Sequence, residues 1–168
     1  MLTDTLKEFP DQPLTFEINT ATHNIVINSE NGQFSIMGQN GDEFPQIPKI
    51  KEDSKVSMDV PSELLFSGIT KTLFATADDE LRPVMNGIFL EMSPDDLTFV
   101  ASDAHKLVRY KRTDGKAKGS ASFILPKKPA SLLKNILPKQ ENEVRIEFDK
   151  KNALFHLTEY TLVCRLVE

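Results

Sequence analysis

An order of segments that recurs along the chain limits its possible folds more than any single motif does. Leu14-Thr15-Phe16-Glu17-Ile18 alternates apolar and polar residues, and 130 positions later Val144-Arg145-Ile146-Glu147-Phe148 does the same. Alternation with period two, rich in β-branched and aromatic residues, is the signature of a strand with one buried face. Phe155 and Leu157 match Ile25 and Ile27 at that same offset, and Phe34-Ser35-Ile36 adds a third strand to the first set. Asn31-Gly32 between the second and third of these predicts a hairpin. A short helix is expected before the first meander. Before the later one, Leu132 to Leu137 reads as a helix that Pro138 closes.

Between these copies sits another. A strand is expected at Lys55 to Asp59, a helix from Pro61 to about Ala77, and strands near Val84 to Glu91, Leu97 to Ser102 and Lys106 to Arg112. Pro61 suits the first turn of a helix, and Glu63 places negative charge where the helix dipole favours it. Leu64, Leu65, Ile69, Leu73 and Phe74 recur at helical spacing and predict an apolar face, with Lys71 and Thr72 toward the other side. The repeated unit is one helix followed by three strands, introduced by a strand in the second and third copies. An α+β class follows, with helices on one face of antiparallel sheets.

The stretch from Gly41 to Asp53 holds Pro45, Pro48, several acids and no period, which reads as an interdomain linker. The expected organisation is therefore half a domain over 1–40, a linker over 41–54 and a second domain over 55–168. Half a domain at one end predicts a piece of a longer protein. Hydrophobic residues at 39% and charged residues at 27% suit a folded globular chain rather than a disordered one. The first residues carry neither a basic nor an apolar signal segment, and no apolar run approaches the roughly 20 residues of a membrane span. One cysteine, Cys164, cannot form an internal disulfide, and a cytoplasmic location is expected.

The net charge of −5 is unevenly spread. From Ala104 to Lys139 ten basic residues face one acid, Asp114, so this stretch is strongly positive within an acidic chain. Such a stretch can attract a polyanion locally, because the nearby field outweighs the total within a Debye length of about 10 Å. For Lys111 to Lys118 the favoured reading is a solvated hairpin tip around Thr113-Asp114-Gly115.

Asp78-Asp79-Glu80 crowds three carboxylates, but consecutive side chains diverge on a helix or strand, so a solvated loop is favoured over a metal site. Asp103 and His105 could form a carboxylate-oriented histidine, but no nucleophile stands in a motif beside them. His23 and His156 lack companion ligands, and no Gly-rich phosphate loop is present. Neither catalysis nor a cofactor is expected.

Arg82-Pro83-Val84-Met85-Asn86-Gly87-Ile88-Phe89-Leu90-Glu91, followed by Phe99-Val100-Ala101-Ser102-Asp103-Ala104-His105-Lys106-Leu107, resembles the second-domain signature of the bacterial sliding clamps, the beta subunits of DNA polymerase III. Ile124-Leu125-Pro126-Lys127-Lys128 before a helix, the closing Arg165-Leu166-Val167-Glu168 and the linker's Asp42-Glu43-Phe44-Pro45 extend the resemblance to nearly the whole chain. The resemblance implies the tail of a first domain and most of a second. It also implies a DNA-clamp fold: a ring of head-to-tail dimers that slides on duplex DNA as a non-catalytic processivity factor. Lys71, Arg82, Lys127 and Lys128 would face DNA, and Met85, Ser102, Ala104, His105, Lys106 and Leu107 would form one wall of a groove that docks short motifs of the polymerase alpha subunit and the clamp loader.

Three departures bear on these roles. Ala104 stands where glycine is usual and Lys106 where arginine is, and Pro83-Val84 lacks the polar or aromatic groups that relatives present to DNA. The competing reading is a peptide-binding or scaffold module without DNA function, its basic stretch only a solvated face.

Overall fold

The computed structural model describes residues 2–115, 117 and 119–167. The chain divides into two compact units, Met1–Gln46 and Ile47–Glu168.

In the first unit a short helix, α1 (Leu2–Lys7), precedes three antiparallel strands in order: β1 (Thr15–Asn19), β2 (Asn24–Ser29) and β3 (Gly32–Met37). Ser29 pairs with Gly32, so the hairpin loop is Glu30-Asn31 and Gly32 already belongs to β3. Residues 41–54 contain only two 3-10 turns, Gly41–Glu43 and Glu52–Ser54.

The second unit begins with β4 (Val56–Pro61), and α2 (Ser62–Thr72) follows directly. Pro61 is the last residue of the strand and the N-cap of the helix, one step before its expected place. Leu64, Leu65 and Ile69 are buried as their spacing predicts. Two expectations fail where α2 ends and a 3-10 turn, Leu73–Ala75, takes over. The tighter winding rotates Phe74 out to 64% exposure. Thr72 is fully buried, its hydroxyl donating to Gly68 O within the helix at 2.7 Å.

The strands β5 (Gly87–Met92), β6 (Leu97–Ser102) and β7 (Leu107–Arg112) follow. The expected strand start at Val84 is instead a 3-10 turn, Pro83–Met85, because proline fixes φ and donates no hydrogen bond. After β8 (Ala121–Pro126) comes α3 (Lys127–Ile136), which starts five residues before the apolar pattern suggested, and a further 3-10 turn, Leu137–Lys139. Strands β9 (Glu143–Phe148), β10 (Asn152–His156) and β11 (Thr161–Arg165) complete the unit.

Two four-stranded antiparallel sheets result, ordered β11-β10-β9-β4 and β7-β6-β5-β8. The strand that introduces each repeat thus joins the sheet of the other repeat. Helix α2 packs on β6 and β7 and touches β4, α3 packs on β5 and β8, and the two helices meet. A single core spans both sheets: Phe123 of β8 stacks 4.6 Å from Phe148 of β9 and 6.4 Å from Phe155 of β10. The α+β repeat read from the sequence is the architecture observed.

The repeat's spacing needs one correction. Phe16 and Ile18 do correspond to Ile146 and Phe148. Ile18 pairs with Ile25, seven positions on, whereas Phe148 pairs with Ala153, only five on, so Ile25 and Ile27 correspond to Ala153 and Phe155, not to Phe155 and Leu157. The solvated hairpin tip is overturned as well. Since β7 and β8 lie at opposite edges of their sheet, the chain after Arg112 crosses between them. Ala117 N donates to Ser93 O at 2.9 Å on the way, and Gly115 is buried where an added Cβ would strike Leu97 and Leu64. Lys116 and Lys118, part of that expectation, lie outside the described residues.

Candidate functional site

Antiparallel order brings one end of the β7-β6-β5-β8 sheet together from four places: the start of β5, the end of β6, the start of β7 and the end of β8. Met85 precedes β5, Ser102 to Leu107 link β6 to β7, and Lys127 and Lys128 follow β8. The residues expected to wall the groove therefore share one sheet end with two of the residues expected to face DNA. Met85 is half-buried, whereas Ala104, His105, Lys106 and Leu107 are exposed, Leu107 by 68%. An exposed leucine and a partly buried methionine at one sheet end offer apolar surface suited to another side chain.

The Ser102–Leu107 turn is held by its own polar groups. Asp103 Oδ1 accepts from His105 N at 3.0 Å and from Lys106 N at 2.9 Å, while Ser102 Oγ accepts from Ala104 N at 3.2 Å and donates to Lys106 O at 2.8 Å. Lys106 Nζ forms an ion pair with Asp103 Oδ2. That hydrogen bond first, and the two backbone N–H groups with it, hold the Asp103 carboxyl well below the usual carboxylate range. Ala104 adopts φ 74°, a left-handed conformation that costs a residue with a Cβ about 1–2 kcal/mol. Lys106 meets Asp103 as a point charge rather than with the fork an arginine would offer. Asp103 thus serves the backbone of His105, not its ring, which removes the basis for a catalytic pair.

The connection from α2 to β5 is tied just as closely. Asn86 Oδ1 accepts from Asp79 N at 2.9 Å and Asn86 Nδ2 donates to Asp79 O at 2.8 Å, while Ala77 N donates to Met85 O at 2.8 Å. Lys127 N donates to Asn86 O at 2.9 Å, which anchors the start of α3 to the same connection. Asp79 accepts from Arg82 Nε at 2.7 Å and from Leu81 N at 2.9 Å, and these bonds, the arginine's first, lower its pKa. Asp78 pairs with Lys127 Nζ at 2.5 Å. Two of the three carboxylates, Asp78 and Asp79, are therefore paired with neighbouring cations, and no group suited to a metal occurs among the described residues.

The cations differ in freedom. Lys128 is exposed and has no carboxylate partner among the described residues. Lys71, in the last turn of α2, holds its Nζ 5.7 Å from the centroid of the Tyr110 ring, a cation–π contact on β7. Within the basic stretch Lys106, Lys111, Arg112 and Lys127 are each paired with an acid, which reduces the field the sequence suggested. Of the remaining histidines, His23 takes a left-handed φ of 56° between β1 and β2, and His156 Nε2 lies 3.4 Å from Glu147 Oε2.

Residues 59–168 match the family model for the central domain of the DNA polymerase III beta subunit. The chain belongs to the DNA polymerase III beta subunit family. It is 30% identical over 158 residues to a beta sliding clamp of Synechococcus elongatus, covering 93% of this chain and 40% of that protein. It is 26% identical over 165 residues to a beta sliding clamp of Staphylococcus aureus, covering 98% of this chain and 43% of that one. The solved structure of the Bacillus subtilis DNA polymerase sliding clamp superposes with a TM-score of 0.84 at 26% identity, over 99% of this chain and 43% of that chain. The Pseudomonas aeruginosa beta subunit shares the fold with a TM-score of 0.82 at 23% identity, over 99% of this chain and 46% of that chain. The chain thus spans less than half the length of these beta subunits.

For this member of the beta subunit family, the structure gives part of the signature a physical meaning that sequence reasoning missed. Asn86 ties the α2–β5 connection, and Gly87 permits a close approach, since a Cβ there would lie 2.6 Å from Leu125 O. The Asn-Gly pair was legible as a motif. Its partner Asp79 was not, because nothing in the sequence places residue 86 against residue 79.

Proposed function

We propose that this chain is a segment of a sliding clamp, a non-catalytic, cytoplasmic processivity factor that encircles duplex DNA and tethers a polymerase and its loader. Residues 1–40 are the latter half of a first domain, 41–54 the linker and 55–168 the central domain; the whole protein is a head-to-tail homodimer. The observation that carries the reading is the meeting of Met85, the Ser102–Leu107 turn and the start of α3 at one sheet end in a chain of this family. Met85 and Leu107 supply the apolar contact for a linear motif, and Ser102, Ala104, His105 and Lys106 shape the turn beside it. Lys71, Arg82, Lys127 and Lys128 meet phosphates. A protein that slides should avoid base contacts, each of which would pin it by about 1–3 kcal/mol, and hold the backbone weakly.

The test is titration of a fluorescent peptide carrying the polymerase's clamp-docking motif against the longer parent protein and against this chain. Met85→Ala and Leu107→Ala should each weaken binding to the parent by about tenfold, as losing a buried apolar anchor does. Binding indifferent to both substitutions would move the groove elsewhere. Four ion-paired cations in the basic stretch favour the scaffold reading as the alternative. Salt separates the two: duplex binding by the parent should fall steeply with ionic strength, whereas a scaffold would show no such binding.

A further inference from the structure

Two of the cations assigned to DNA lie against carboxylates that follow one another in the chain, yet the two pairs are built differently. Asp79 is fixed: its carboxylate receives Leu81 N and Arg82 Nε, its backbone is clasped by Asn86, and its side chain is 25% exposed. Asp78 reaches Lys127 Nζ from a side chain that is 81% exposed. Lys127 in turn has its backbone N–H bonded to Asn86 O, so its Cα cannot drift from the connection that carries Asp78. A fixed lysine thus faces a carboxylate that can swing into solvent.

We propose that Asp78 is a built-in competitor for phosphate at Lys127, a residue that sets how weakly this surface holds a nucleic-acid backbone. The proposal rests on the DNA reading above. A phosphate reaching Lys127 must displace Asp78, and the freed carboxylate collects a cation from solution. That uptake offsets the counterion released from the DNA, so the contact gains less affinity and less salt dependence than an unpaired lysine would give. Lys128 is the unmasked counterpart one residue on. A surface with one open and one masked cation grips each phosphate lightly, as lateral motion along a duplex requires.

The experiment is fluorescence anisotropy of the longer parent protein, wild type and variants, with a labelled duplex of mixed sequence, between about 50 and 200 mM salt. Asp78→Asn should bind up to about fivefold more tightly, the range of an exposed ion pair, and log affinity should fall more steeply with log salt, by up to about 0.9. Lys127→Ala should abolish that gain in the double variant, which a change elsewhere would not do. Lys128→Ala should weaken binding with or without Asp78. An unchanged or weaker Asp78→Asn, folded by circular dichroism, would overturn the masking while the Lys128→Ala loss left the DNA reading standing. No duplex binding by the wild-type parent and no effect of Lys128→Ala would overturn the DNA reading and the masking with it.

Discussion

The two repeats of the second unit share a frame and differ in one connection. After its helix and 3-10 turn, the first takes residues 76–86 to reach β5, whereas the second takes only 140–142 to reach β9. In the short version Gln140 closes directly on the turn between β10 and β11: its Nε2 donates to Thr158 Oγ1 at 2.8 Å, and its Oε1 accepts from Thr158 N at 3.1 Å. In the long version the connection ties to itself and to α3 instead, leaving the Ser102–Leu107 turn to hold its own shape and Leu107 open to solvent. One frame thus carries an end whose connection closes on the neighbouring turn and an end where Leu107 and Lys128 stay open to solvent. On the proposed reading, what sets the docking end apart is the longer connection, not the repeat.

The comparison breaks first if the frames are not equivalent. Phe99 and Phe155 are both almost fully buried, one in each sheet, so Phe99→Ala and Phe155→Ala should each cost about 3–5 kcal/mol in denaturant unfolding. A large inequality between them would show one half to be the true core. Smaller effects should separate the connections. Asn86→Ala removes both side-chain bonds to Asp79 and should cost about 1–3 kcal/mol while also weakening peptide docking, whereas Gln140→Ala, on an exposed turn, should cost less and leave docking unchanged.

The smallest effect should come from acid. Asp103 and Asp79 have folded pKa values below the ordinary 3.8, and Asp114, paired with Arg112, is lowered to about 2. A depressed carboxylate contributes stability that is present above its unfolded value and is lost as pH falls through its folded value. Protection against amide exchange measured by NMR, taken relative to the intrinsic rate at each pH, should therefore fall at Ala104 to Lys106 below about pH 4, before the strands of either sheet respond. Strands that opened first would show that the turn does not depend on Asp103.

The elements were readable where the period was strict. The run Val144 to Phe148 alternates cleanly and forms a strand with the expected face buried. Errors fell where local and tertiary demands diverge. Pro83 looked like the approach to a strand and bends a 3-10 turn, and Phe74 looked like core until the helix tightened one residue before it. The basic stretch could be counted but not neutralised on paper, since Asp78 lies 49 residues from Lys127 and Asp96 15 from Lys111. Of the candidate site, the residues proposed for the groove could be named only through the resemblance. The polar ties that position them come from contacts between loops, for which a sequence has no period.

The exchange of opening strands, β4 into the sheet of β9 to β11 and β8 into that of β5 to β7, makes the two halves a mechanical interlock. Neither half owns a complete sheet, so neither can fold first and wait for the other. Pairings such as Met58 with Ile146 must close a loop of most of the unit before they contribute, which predicts slow, single-step folding. Severing the backbone between β7 and β8 would leave the pieces braided by eight strands and one core. A unit interlocked in this way should yield to a pulling force as a whole rather than strand by strand.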